Sequence, residues 1–67
     1  MKILKVIEVL ASSEKGWDDA AQNAVKIASK SVRGIKSINI QNMSALVDGK
    51  KIVEYRINAK LSFEIDK

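Results

Sequence analysis

Residues 52–65, Ile-Val-Glu-Tyr-Arg-Ile-Asn-Ala-Lys-Leu-Ser-Phe-Glu-Ile, alternate in polarity almost without interruption. Val53, Tyr55, Ile57, Ala59, Leu61, Phe63 and Ile65 fall on one face; Glu54, Arg56, Asn58, Lys60, Ser62 and Glu64 fall on the other. A period of two marks a β-strand with one buried face. These fourteen residues, at ~3.3 Å each, span roughly 45 Å. A compact domain of 67 residues has a radius of gyration of about 11 Å, hence a diameter of roughly 28 Å. A strand this long either bends sharply or runs past its own core, and the second option predicts packing against other copies of the chain.

Working backwards, Asp48-Gly49 predicts a two-residue hairpin turn, because this pair tolerates the positive φ of tight turns. The preceding strand, Ile35–Leu46, carries Ile38 and Ile40 on one face and Ser37, Asn39 and Gln41 on the other. A turn centred on Asp48-Gly49 sets Val47 opposite Lys50, Gln41 opposite Arg56, Ile40 opposite Ile57 and Ile38 opposite Ala59. Both apolar stripes then share one side of the sheet, with a bulge near the turn able to shift the register.

Further upstream, Trp17, Ala20, Ala21, Ala24, Ile27, Ala28 and Val32 recur at helical spacing and predict a helix from Trp17 to Val32. Asp18 and Asp19 suit its positive end, and Lys30 and Arg33 its negative end. Gly16 or Ser13 is placed to cap its start, and Gly34 to end it. Ala11–Gly16 reads as a polar connection. Before it, Lys2–Leu10 reads as a strand with apolar residues on both faces, Leu4, Val6 and Leu10 on one, Ile3, Ile7 and Val9 on the other. Such a strand belongs at the centre of a sheet or at a subunit contact. The expected fold is α+β: one domain, 1–67, with the order β-α-β-β and a three-stranded antiparallel sheet packed on one helix.

Composition narrows the function. The chain has no Cys and no His, so disulfides, zinc staples and catalysis by those residues are excluded. A core this small rarely supplies more than about 3–5 kcal/mol, which leaves oligomerisation as the route to stability. No apolar stretch approaches a membrane span, Lys5 and Glu8 break the N-terminal apolar run, and the expected location is cytoplasmic. The net charge of +4 is scattered, with two arginines, Arg33 and Arg56, and neither a basic cluster nor a run of stacking aromatics. That pattern argues against a nucleic-acid binder. No nucleophile elbow or glycine-rich phosphate loop is present, so the chain reads as non-enzymatic. Asp18, Asp19, Asp48 and Glu14 do not form a cation-binding loop, and no metal ligands are assigned. Arg56 projects from the middle of the polar face. It either contributes to an anion or aromatic-ligand site between subunits, or pairs with Glu54, Glu64 or a neighbouring copy's carboxylate and stabilises the assembly; the pairing is favoured. Trp17 reads as an anchor for the helix start.

The chain resembles the dodecins. Lys5-Val6-Ile7-Glu8 with Ser12-Ser13 resembles their first strand and the connection after it. Trp17-Asp18-Asp19-Ala20, Asn23-Ala24-Val25 and Ala28-Ser29-Lys30 resemble their helix, and Asp48-Gly49, Val53, Tyr55 and Leu61-Ser62-Phe63 their final hairpin. The resemblance covers nearly the whole chain. It implies a hollow homododecamer that binds flavin, FMN or riboflavin, for storage or sequestration. In that family a Trp at the start of the second strand stacks on the isoalloxazine ring, and a Gln just after the Tyr of the last strand hydrogen-bonds to it. Here Ser37 and Arg56 occupy those positions, with Gln41 as a supporting residue. Ser has no π surface, and Arg donates hydrogen bonds but accepts none. The expectation is a homo-oligomeric small-ligand protein with flavin binding weakened or lost. The alternative is a flavin-free shell with a structural or divalent-cation role, its Ca²⁺ or Mg²⁺ held by carboxylates gathered at a symmetry axis.

Overall fold

The structure, a computed structural model, describes residues 3–65. Strand β1 (Ile3–Ser13) leads into helix α1 (Trp17–Ala28), followed by strands β2 (Ile35–Asp48) and β3 (Lys51–Ile65). All pairings are antiparallel, and the sheet order is β1-β3-β2. The expected α+β fold and element order are therefore present. The chain extends 52 × 20 × 13 Å with a radius of gyration of 13.8 Å. Against the ~11 Å expected of a compact chain of this length, the long hairpin has indeed outrun the core.

The alternation in β3 does what its period requires. Ile57 is 2% exposed, and Ala59 and Leu61 are fully buried. Ala20 meets Ile57 and Ala59 from the helix, and Val9, Ala11, Trp17, Ala21 and Ile38 pack around them. Alanine at positions 20 and 24 leaves no side-chain bulk between helix and sheet, so both residues are buried. Trp17 closes the end of this core. Its ring meets Tyr55 edge-on, with centroids 4.9 Å apart, and its Nε1–H donates to the Ser44 carbonyl at 2.9 Å.

Three local expectations are corrected. First, the helix ends at Ala28, not Val32. The hydroxyl of Ser29 donates to the Val25 carbonyl at 2.7 Å, and Lys30 and Ser31 bond to the carbonyls three residues before them. Local bonds of this kind tighten and end a helix. Gly34, with φ +72°, serves the entry to β2 instead of the helix end. Gly16 is the N-terminal cap residue, its carbonyl accepting from the Ala20 amide. Ser13 instead donates to Asp19 Oδ2 at 2.6 Å and accepts from the Lys15 amide.

Second, β1 is an edge strand and β3 is central. β1 also continues through Ser12 and Ser13, which pair with Arg56 and Tyr55. Of the two settings offered for its doubly apolar pattern, the central one is excluded. Leu4, Val6 and Leu10 stand exposed on the face away from the helix.

Third, the hairpin register differs. Asp48 pairs with Lys51, so Gly49 and Lys50 form the turn. Gly49 has φ +67°, and among the described residues none other than glycine has positive φ. A turn centred on Asp48-Gly49 of the type that needs positive φ at both positions would have strained Asp48; placing Gly49 first avoids this. Irregularities at Leu46/Val47 and at Ile40/Asn42 then set Ile40 against Ala59, Ile38 against Leu61 and Ser44 against Arg56. Gln41 falls in the second irregularity and does not face Arg56.

Candidate outer-face site

The face of the sheet that the helix leaves open carries the candidate residues. Even-numbered positions of β3 point there because Ile57 and Ala59, on the alternate face, are buried beneath the helix. Antiparallel pairing then assembles rows across the strands: Ser12, Arg56 and Ser44 in one, Leu10, Asn58 and Asn42 in the next, Glu8, Lys60 and Asn39 after that, and Val6, Ser62 and Ser37 beyond. The irregularity at Ile40/Asn42 places Asn42 and Ser44 on this face, after Ser37 and Asn39 have occupied it from the other side of the slip.

Ser37 and Arg56 sit far apart in one chain. Ser37 is opposite Ser62, six positions from Arg56 along β3, or roughly 20 Å at the rise of a strand. The hydroxyls of Ser37 and Ser62 hydrogen-bond to each other. Arg56 donates from Nε to Glu54 Oε2 at 2.8 Å, an exposed pair two residues apart on the same strand. The expected carboxylate partner of Arg56 is thus Glu54. An open groove of about 470 Å³ surrounds it, lined by Leu10, Ser12, Asn42, Ser44 and Glu54 as well as Arg56. Asn58, on its floor, has an Oδ1 that is buried without a hydrogen-bond partner among the described residues.

The aromatic inventory is decisive for stacking. The chain has one Trp, one Tyr and one Phe. Trp17 and Tyr55 stack on each other at the helix end, and Phe63 shares the odd-numbered register of the buried face. Among the described residues the outer face therefore has no ring to offer a planar ligand. It also has no group of three or more acidic residues placed to hold a metal ion within one chain. The sequence pointed to Arg56 and Ser37 through the family pattern; it missed Ser12, Ser44 and Asn42, because their placement depends on a slip that polarity alone does not locate.

A two-layer sheet-and-helix unit in this order, with an over-long hairpin, defines a small class of proteins, and the family model for the dodecins matches residues 3–66. The chain belongs to the dodecin family. Calcium dodecin of Mycobacterium tuberculosis is 32% identical over 65 residues, covering 97% of this chain and 92% of that protein. A crystal structure of calcium dodecin from the same organism, described as calcium chelating with a novel calcium-binding site, has a TM-score of 0.81 at 31% identity, covering 96% of this chain and 91% of that one. A dodecin variant from T. thermophilus superposes with a TM-score of 0.94 at 22% identity over the full length of both chains. The dodecin of Streptomyces coelicolor gives 0.92 at 24%, covering 98% of this chain and 94% of that one. These last two establish the fold alone. No helix among the described residues is long and apolar enough to cross a membrane.

Proposed function

We propose that this chain is a non-enzymatic, self-assembling protein that binds or stores a small ligand, and that its affinity for flavin is weakened or lost. The observation that carries the reading is Ser37. At the position where the family pattern sets a stacking Trp, its hydroxyl is engaged with Ser62 and no ring lies on that face among the described residues. Self-assembly, into a dodecamer by analogy with the family, is supported by Leu4 and Val6, which are 59% and 54% exposed in the single chain. Monomers rarely leave a stripe of large apolar side chains uncovered.

Titration of the purified protein with riboflavin or FMN tests the flavin reading. Aromatic stacking is worth ~1–3 kcal/mol per base in nucleic-acid sites, so a comparable loss weakens binding by about one to two decades. The combined substitution Ser37→Trp and Arg56→Gln is expected to raise flavin affinity measurably. A tight complex with the unsubstituted chain would overturn the reading.

A second reading has its own support in the calcium dodecin relative. Under it the chain is a flavin-free shell that holds a divalent cation. Since no sufficient acidic cluster lies within one chain among the described residues, the ligands would come from several copies. Calcium titration followed by calorimetry separates the two readings: saturable heat in the assembled protein, lost on dissociation, favours the cation.

A further inference from the structure

The groove around Arg56 is asymmetric in its chemistry. Glu54 takes the Nε–H of Arg56, and this contact fixes the guanidinium without using its outer edge. The terminal amino groups of Arg56 have no partner among the described residues. Two parallel N–H bonds from that edge match the two oxygens of an oxyanion in a way that a lysine does not. The pairing of β3 with both neighbours sets a hydroxyl on each side of Arg56, Ser12 from β1 and Ser44 from β2. One row away stands Leu10, 81% exposed, an apolar wall to the same groove.

We infer that this groove binds a small organic acid, with one carboxylate on a compact apolar body. The carboxylate lies on the terminal amino groups of Arg56, within reach of the Ser12 and Ser44 hydroxyls, and the body lies against Leu10. The inference rests on the reading of this protein as a small-ligand binder and names the ligand's class. The charge balance favours a monoanion. Glu54 shares the groove, so a doubly charged phosphate meets a like charge within a few ångströms of its own site.

Benzoate is the probe, titrated by calorimetry and by amide chemical shifts into the assembled protein, with inorganic phosphate and benzyl alcohol as parallel arms. Saturable benzoate binding is expected, tighter than either control, with shifts centred on Ser12, Ser44 and Arg56. Arg56→Gln is expected to weaken it at least about tenfold, the factor carried by 1.4 kcal/mol. Arg56→Lys retains the charge without the fork and falls between the two. If Arg56→Gln disrupts assembly, Ser44→Ala with Leu10→Ser replaces it and should also weaken benzoate.

Absence of saturation up to about 10 mM, well beyond millimolar affinity, overturns the inference. So does equal affinity in Arg56→Gln, or tighter binding of phosphate. So does occupation of the groove by a carboxylate of a second copy, revealed when Arg56→Gln dissociates the oligomer and benzoate never competes. Light scattering on the same samples keeps the two readings apart. An intact, flavin-free oligomer that ignores benzoate removes the acid and leaves the small-ligand reading standing. A monodisperse monomer removes the assembly, while the groove, complete within one chain, is still open to the benzoate test.

Discussion

Trp17 shows how one side chain can fasten two layers. It starts the helix, stacks edge-on against Tyr55 of β3, and donates to the Ser44 carbonyl of β2. Replacing it with Phe keeps a ring but deletes the indole N–H. The expected loss is about 0.5–1.5 kcal/mol, the usual net worth of such a bond, seen as a lower midpoint in urea. An unchanged midpoint would show that the indole N–H contributes nothing. Ala20 makes the opposite argument. It is fully buried against Ile57 and Ala59, so Ala20→Leu must push the helix off the sheet. Overpacking of this kind costs about 1–3 kcal/mol, and thermal unfolding should register it.

The elements follow from patterns of different strength. The hairpin strands were legible because polarity alternates along β3 and the first part of β2, β1 because it is apolar on both faces, and the helix because its alanines recur at helical spacing. The helix end was not, since the backbone tightens there to bonds three residues back, at Lys30 and Ser31, a switch that propensity does not mark. The register was not either. Hydrophobic patterning accepts any slip of two, and here both Ile40–Ile57 and Ile40–Ala59 keep apolar residues together; only the positive φ of Gly49 chooses. For the site, Arg56 and Glu54 could be paired by spacing, whereas Ser12 and Ser44 reach Arg56 only through the pairing of three strands. Gly49→Ala isolates the turn: a Cβ there meets no atom within 4 Å, so the whole effect is backbone strain. A loss of about 1–2 kcal/mol is expected from forcing an L-residue to that φ. Cross-strand amide exchange near Asp48 and Lys51 is the measurement, and unchanged protection there would contradict the assigned turn.

At the scale of the whole molecule, the single chain is a slab 13 Å across its thinnest direction, which the helix covers on one side only. Val6→Lys on the uncovered side tests what that geometry is for. The substitution removes no contact with the described core, so in an isolated chain it should shift stability by less than about 0.5 kcal/mol. In an assembly that buries Val6 it places a charge in the contact, and light scattering should show dissociation at micromolar concentration. An intact oligomer would move the interface elsewhere. The pairing of Ile3 with Ile65 has a different consequence. It brings the two ends of the described chain side by side, so the path nearly closes on itself. A permuted chain, joined by a short peptide across those ends and opened between Gly49 and Lys50, would retain every strand neighbour while turning the pairing of longest sequence separation into a local one. Because long-range closure carries an entropic cost that grows with loop length, such a ring-opened relative should dock β1 onto β3 faster than the natural order allows, and stopped-flow refolding would reveal the gain.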